Sequence, residues 1–318
     1  MKLKKPKFWD YKSPNIIAYL LLPFSLITLS INYFKKYLFI KKWFAYKNKI
    51  YNICVGNIYV GGTGKTPISI EINKIFINLN FKTAFIKKNY SNQIDEQKLL
   101  SDSGKLFCEK KRNIALKKAI DENIEVVIFD DGLQDSDLSN IYNLSFVCFN
   151  IQSWIGNGFL LPAGPLRESL NSLKKYDAVF LNGNGEDTLN IEYVIKNINP
   201  NIKIFKSQYI PLNLEKFNLN QNYLAFSGVG NPHSFLTTLK KNKFKIIKKL
   251  NFPDHYKYSE KNIMEIKKIA KNLNAKIITT EKDYNRLNKI NNESIAYLKI
   301  KLKITNENQL INFLKEML

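Results

Sequence analysis

Between an apolar run, Tyr51 to Ile58, and a helical pattern, Pro67 to Leu79, the chain carries Gly61-Gly62-Thr63-Gly64-Lys65-Thr66. A glycine-rich turn that leaves a strand and opens a helix is the context of a phosphate-binding loop. Glycines let backbone N–H groups close on phosphate oxygens, and the helix N-terminus adds partial positive charge. In this reading Lys65 reaches the β- and γ-phosphates and Thr66 offers its hydroxyl to Mg²⁺. The position five before Gly64 is Tyr59 rather than glycine. The loop is therefore a variant that starts at Gly61, and nucleotide contacts are expected to extend back over Tyr59 and Val60. A chance Gly-Lys-Thr in an ordinary turn is the alternative, which the flanking strand and helix disfavour.

Strand and helix patterns continue to alternate. Thr83 to Lys87, Glu125 to Asp130, Leu144 to Asn150 and Ala178 to Leu181 read as strands, and Lys111 to Glu122 as a helix. This order predicts an α/β fold with a parallel sheet wrapped by helices, of the P-loop NTPase type. The run Glu125-Val-Val-Ile-Phe-Asp130-Asp131 ends in two carboxylates, as a strand presenting Mg²⁺-binding acids beside the loop would. From Leu212 a smaller α/β unit is expected. Its strands are Tyr223 to Ser227, Phe244 to Leu250, Lys276 to Thr280 and Ile295 to Ile300, with helices at Pro232, Glu260 to Leu273 and Asn308 to Met317. The polar stretch Asn182 to Asn222 reads as the joint. The expected organisation is a basic apolar segment over 1–50, a phosphate-loop core over 51–211 and a smaller domain over 212–318.

The first fifty residues hold eleven lysines against the single acid Asp10, so ten of the net +22 charges lie there. Such an excess draws anionic partners. Ser13 to Phe34 carries no charge, and as one helix its 22 residues would reach about 33 Å, just enough for a bilayer. Pro23 interrupts it, and lysines flank both ends. A helix, or a broken helix pair, lying in the interface of an anionic leaflet is favoured over a span, with a buried core helix as the plain alternative. No small-residue cleavage site follows the apolar run, which argues against a signal peptide. Cys54, Cys108 and Cys148 are widely spaced, so neither disulfides nor a zinc site is indicated, and a reducing cytosolic setting fits. The basic residues form no nucleic-acid module, and no protein partner is inferred.

The residues Gly56-Asn-Ile-Tyr-Val-Gly-Gly-Thr-Gly-Lys-Thr-Pro67, Asp131-Gly-Leu-Gln134, Gly156-Asn-Gly158 and Leu161-Pro-Ala-Gly-Pro-Leu-Arg-Glu168 together resemble the tetraacyldisaccharide 4′-kinase family. The resemblance continues through Phe226-Ser-Gly-Val-Gly-Asn-Pro232, Phe252-Pro-Asp-His255, Thr279-Thr-Glu-Lys-Asp283 and the opening Pro6-Lys-Phe-Trp9. It covers essentially the whole chain. It implies ATP- and Mg²⁺-dependent transfer of the γ-phosphoryl to the 4′-hydroxyl of a lipid A disaccharide precursor, at the cytoplasmic face of the bacterial inner membrane. It further implies Asp95 as the catalytic base of an Asp-Glu pair, with His255 as its partner and Lys65 at the donor phosphates. Glu168 joins Thr66, Asp130 and Asp131 in the implied metal set. Lys88, Tyr90, Arg112, Gln134, Asp135 and Arg167 match substrate-contacting positions. Taken without the family, Asp95 reads as a surface acid and His255 as a packing residue.

Only three of the 49 basic residues are arginine, namely Arg112, Arg167 and Arg286. In so lysine-rich a chain they mark places where a planar, bidentate fork is wanted. Two segments depart from the family pattern. Its Ser-Arg-Gly-Tyr appears here as Lys87-Lys88-Asn89-Tyr90, and the histidine that follows Asp-Gly-x-Gln is Asp135. A membrane-associated P-loop ATPase switch is the rival reading, predicting hydrolysis without a lipid acceptor.

Overall fold

The structure is a computed structural model that describes residues 5–38, 50–91, 93–135, 138, 140–184, 187–230, 232–253, 256–287 and 293–318. The elements in chain order are α1 (Ile16–Leu38), β1 (Tyr51–Gly56), α2 (Lys65–Asn78), β2 (Thr83–Lys88), α3 (Ile94–Ser101), β3 (Leu106–Glu109) and α4 (Arg112–Asp121). They continue with β4 (Val126–Asp130), β5 (Leu144–Asn150), β6 (Ala178–Asn182), α5 (Leu189–Ile198), β7 (Lys203–Pro211), β8 (Asn222–Ser227), α6 (Pro232–Lys241) and β9 (Lys245–Asn251). The last are α7 (Glu260–Asn272), β10 (Lys276–Thr280), α8 (Glu281–Tyr284), β11 (Ile295–Leu298), β12 (Ile300–Ile304) and α9 (Glu307–Glu316). Two compact units result. The first comprises Met1–Asn182, Glu186–Lys206 and Ile304–Leu318, the second Gly183–Gly185 and Ser207–Lys303.

An eight-stranded sheet runs in the order β12-β7-β6-β5-β1-β4-β2-β3. The pairs β1 with β4 and β5, β2 with β3 and β4, and β5 with β6 are parallel. Their sequences are near-continuous apolar runs because parallel strands are covered on both faces. All seven residues of β5 and all five of β4 are buried. The chain leaves β1 for β4, β2 and β3 on one side, then turns to β5 and β6 on the other. That reversal puts a switch point at the carboxyl end of β1, where α/β sheets open a ligand crevice. Helix α2 packs Ile68, Ile72, Ile75 and Phe76 inward, each worth roughly 1.5–3 kcal/mol of burial.

The closing helix departs from the sequence expectation, which assigned it to the smaller domain. Phe313 of α9 packs edge-on to Phe146 of β5, with ring centroids 6.2 Å apart, and lies 5.5 Å from Phe205 of β7. Its apolar stripe, Leu310, Phe313 and Leu314, is thereby buried within the first unit. The stretch read as a joint also holds regular structure, α5 and β7. The segment read as one strand, Ile295 to Ile300, is instead β11 and β12, which belong to different sheets. Lys299 between them gives its N–H to the Asn213 side chain at 2.9 Å rather than to a neighbouring strand.

The second unit contains a four-stranded parallel sheet, β11-β10-β8-β9, over a core that includes Leu224, Phe226, Tyr258, Ile266 and Ile277. Helix α7 starts in a capping box: Ser259 Oγ accepts from the Asn262 N–H and Asn262 Oδ1 accepts from the Ser259 N–H. Such a cap contributes about 1 kcal/mol.

Helix α1 is continuous through Pro23 rather than broken there. Ala18 and Ser25 are its buried contacts among residues 16–30, while Ile16, Leu20, Phe24, Leu26 and Ile27 are more than half exposed. Ser25 Oγ donates to the Leu160 carbonyl at 2.9 Å and accepts from the Ala163 N–H at 3.3 Å. Tyr19 meets Phe159 edge to face at 5.5 Å. No helix among the described residues is long and apolar enough to cross a membrane.

Candidate active site

The phosphate-loop residues lie between β1 and α2, as their order requires. Helix α2 starts at Lys65, two residues before the expected proline start, so Pro67 sits inside the first turn, where its missing N–H has no intrahelical partner to lose. Gly64 has φ +82° and Gly61 φ +145°, a region that side chains with a Cβ rarely adopt. A Cβ on Gly62 would meet no protein atom within 4 Å. The backbone at Gly62 is thus open to approach, as a loop that meets a phosphate through its N–H groups requires.

Side chains brace the loop from below. Asn57 Nδ2 donates to Gly61 O at 3.3 Å and to Thr63 Oγ1 at 2.9 Å, while Asn182 at the end of β6 donates to Thr63 O. The Leu161–Glu168 segment runs alongside: Val60 N donates to Pro165 O at 2.8 Å and Arg167 N to Ile58 O at 2.7 Å. Tyr59 is only 2% exposed, and its hydroxyl donates to Asp10 Oδ1 at 2.6 Å and accepts from Lys5 Nζ at 2.6 Å. Its side chain is thus occupied by the N-terminal turn Lys7–Asp10 and its neighbours, leaving backbone as its route to a nucleotide.

Asp130 closes β4 fully buried. Its carboxylate accepts from Thr66 Oγ1 at 3.0 Å, Ser69 Oγ at 3.3 Å and Lys87 Nζ at 2.5 Å. Asp131 follows with φ +61°, which turns its carboxylate away from that of Asp130 toward Lys65 at 3.7 Å and Arg167 at 3.2 Å. Burial pushes the Asp131 carboxyl up, but Lys65, Arg167, Arg112 and Lys87 outweigh it and hold the group below the usual carboxylate range.

Arg112 donates through both terminal nitrogens, and Arg167 donates through Nη1 to two acceptors. Arg112 is buried; it donates to the Asp131 carbonyl at 2.6 Å, the Asp130 carbonyl at 3.2 Å and Asp135 Oδ2 at 2.5 Å. Asp135 therefore pairs with Arg112 where the family pattern has histidine. Arg167 donates to Gln134 Oε1 at 3.1 Å as well as to Asp131. Gln134 Nε2 in turn donates to Asn57 O at 2.9 Å and Glu168 Oε1 at 3.0 Å, and Glu168 also accepts from the Tyr176 hydroxyl at 3.1 Å.

Among the described residues no three carboxylate, histidine or cysteine side chains converge as a metal cage. Asp130, Asp131 and Glu168, expected together, are divided between separate partners. The Thr66 hydroxyl lies beside the Asp130 carboxylate, a hard-oxygen pair that fits Mg²⁺ carried in on phosphate oxygens and water.

Lys88 stands over the Tyr90 ring at 5.3 Å, an exposed cation–π contact. Asp95 lies in the first turn of α3 beside Glu96. His255 lies outside the described residues. The residue that sequence reasoning missed is Lys87. The β2–β4 register pairs Ile86 with Phe129, so the next step along both strands brings Lys87 beside Asp130. A lysine ending the apolar run Ala84-Phe85-Ile86 was the available signal.

A family model for tetraacyldisaccharide-1-P 4′-kinase matches residues 17–318. The tetraacyldisaccharide 4′-kinase of Pelagibacter ubique (strain HTCC1062) is 55% identical over 312 residues, covering 98% of this chain and 97% of that protein. The tetraacyldisaccharide 4′-kinase of Rickettsia canadensis (strain McKiel) is 37% identical over 328 residues, covering 98% and 96%. The crystal structure of LpxK from Aquifex aeolicus in complex with ATP superposes with a TM-score of 0.67 at 24% identity, covering 95% of this chain and 99% of that one. That likeness concerns the fold.

Proposed function

The chain belongs to the tetraacyldisaccharide-1-P 4′-kinase family, and from that membership we propose how its residues divide the work. The reaction is transfer of the γ-phosphoryl of ATP to the 4′-hydroxyl of a tetraacyldisaccharide 1-phosphate, a lipid A precursor. Backbone N–H groups of Gly61 to Thr66 hold the donor phosphates, and Lys65, kept in place by Asp131, follows the β- and γ-phosphates. Thr66 and Asp130 hold Mg²⁺, which when bound neutralises charge on the phosphate oxygens. The observation that carries this assignment is the Thr66–Asp130 hydrogen bond at the start of α2.

The acceptor hydroxyl must lose its proton as it attacks the phosphorus atom. Asp95 is assigned that proton, with His255 as the partner the family resemblance implies. Arg167 and Arg112 offer positive charge near the donor acids, and Gln134 with Glu168 orients Arg167. Lys88, Tyr90, Gln134 and Asp135 are assigned to the sugar and headgroup of the acceptor. The apolar side chains exposed on α1, flanked by lysines, support binding to an anionic leaflet on the ATP-containing, cytoplasmic side of the inner membrane.

The test is incubation with γ-labelled ATP and the disaccharide 1-phosphate lipid in detergent. Label is expected in the lipid, with none needed in free phosphate. Label found only as free phosphate, at a rate indifferent to the lipid, would sink the assignment and favour an ATPase switch.

A further inference from the structure

Among the described residues Lys87 is the only buried lysine, with its side chain 1% exposed. An ammonium in such a place is costly unless every contact is matched. Its Nζ lies 2.5 Å from Asp130 Oδ2 and 2.7 Å from Glu96 Oε2. These two carboxylates come from different parts of the first unit. Asp130 ends β4 and accepts from Thr66, so it belongs to the donor side. Glu96 sits in the first turn of α3, next in sequence to Asp95. One ammonium therefore ties the helix turn that carries Asp95 to the acid at the phosphate loop.

We propose that Lys87 is a positioning residue, a tethered cation standing where a divalent ion would otherwise bridge Asp130 and Glu96, and that it sets the α3 turn against the donor site before nucleotide arrives. The inference rests on the reading of Asp95 as base and of Thr66 and Asp130 as Mg²⁺ ligands. Its physical basis is charge. Without the ammonium, two carboxylates approach one point from 2.5 and 2.7 Å, with the Thr66 and Ser69 hydroxyls beside them. Like charges so close either separate, moving α3, or recruit a cation from solution. The oxygens available suit a hard divalent ion.

The experiment compares wild type with Lys87→Ser and with the double variant Lys87→Ser/Glu96→Gln. Binding of Mn²⁺ alone is measured by electron paramagnetic resonance, without nucleotide or lipid. Lys87→Ser is expected to bind Mn²⁺ at least about tenfold tighter than wild type, and the double variant to lose that gain. Thermal unfolding in chelator and in excess Mg²⁺ serves as the folding control, with Lys87→Ser stabilised by the ion more than wild type. In steady-state kinetics, Lys87→Ser is expected to lose at least about tenfold in kcat with KM for ATP within about threefold, and to recover as Mg²⁺ is raised. Equal Mn²⁺ affinity in wild type and Lys87→Ser overturns the proposal, as does an unchanged kcat at low Mg²⁺. Because Mn²⁺ binding is read without turnover, a failure of the Asp95 assignment would leave that result standing and is recognised separately.

Discussion

The Thr66 hydroxyl donates to the Asp130 carboxylate over 3.0 Å, joining the first turn of α2 to the end of β4. The bond makes the phosphate loop and the strand-end acid one unit, and it is the pair to which Mg²⁺ is assigned. Thr66→Ala is expected to lower kcat about 100-fold and raise the Mg²⁺ concentration for half-maximal rate, measured by titrating Mg²⁺ at saturating ATP. An unaltered Mg²⁺ dependence would remove Thr66 from the metal site.

Asp130→Asn tests stability as well as chemistry. The side chain is fully buried and takes three donors, one of them charged. Losing its charge leaves Lys87 with Glu96 alone, and breaking a buried pair costs about 3 kcal/mol. A clear drop in the thermal unfolding midpoint is expected, together with loss of turnover.

Asp95→Ala should reduce turnover by orders of magnitude while equilibrium binding of a non-hydrolysable ATP analogue persists, because the residue acts on the acceptor. Near-normal turnover would exclude it as the base.

Asp131 gives a pH prediction. Its folded-state pKa is held below the ordinary carboxylate value by Lys65 and the arginines despite burial. A depressed pKa contributes stability that is full above the unfolded value of about 3.9 and fades as pH falls through the lower folded value. Asp131→Asn is therefore expected to be less stable than wild type at pH 7, with the difference shrinking below about pH 4. Denaturant unfolding at the two pH values checks this, and a constant difference would contradict it.

The exposed face of α1 is the last test. Leu20 and Ile27 are 70% and 55% exposed, so charging them costs the fold little. Leu20→Glu/Ile27→Glu is expected to weaken co-sedimentation with anionic vesicles by more than about tenfold while leaving ATP-analogue binding intact. Full retention on vesicles would mean that α1 is not the membrane contact.

The phosphate loop was legible because its meaning is local: strand, glycines and helix start are consecutive in the chain. Asp130 and Asp131 were legible as an apolar run meeting acids. Arg112 and Arg167 stood out because lysine was used elsewhere. Lys87 carried one local mark, its place at the end of the apolar run Ala84-Phe85-Ile86, but its partners were not legible. Its burial follows from β2 lying beside β4, and its partner Asp130 is 43 residues away. The allegiance of α9 was hidden for the same reason, for Phe313 is committed by rings at 146 and 205.

The order of residues alone determined that a glycine-rich loop of phosphate-binding pattern lies between β1 and α2, that a parallel sheet carries it, and which family the chain resembles. Those features are set by backbone conformation and side-chain type over short spans, where neighbours in sequence are neighbours in space. Only the tertiary structure decided which charge answers which: Asp131 with Lys65 and Arg167, Asp135 with Arg112, Asp130 and Glu96 with Lys87. Such pairings depend on strand register and on the exclusion of water, and both arise when distant segments pack.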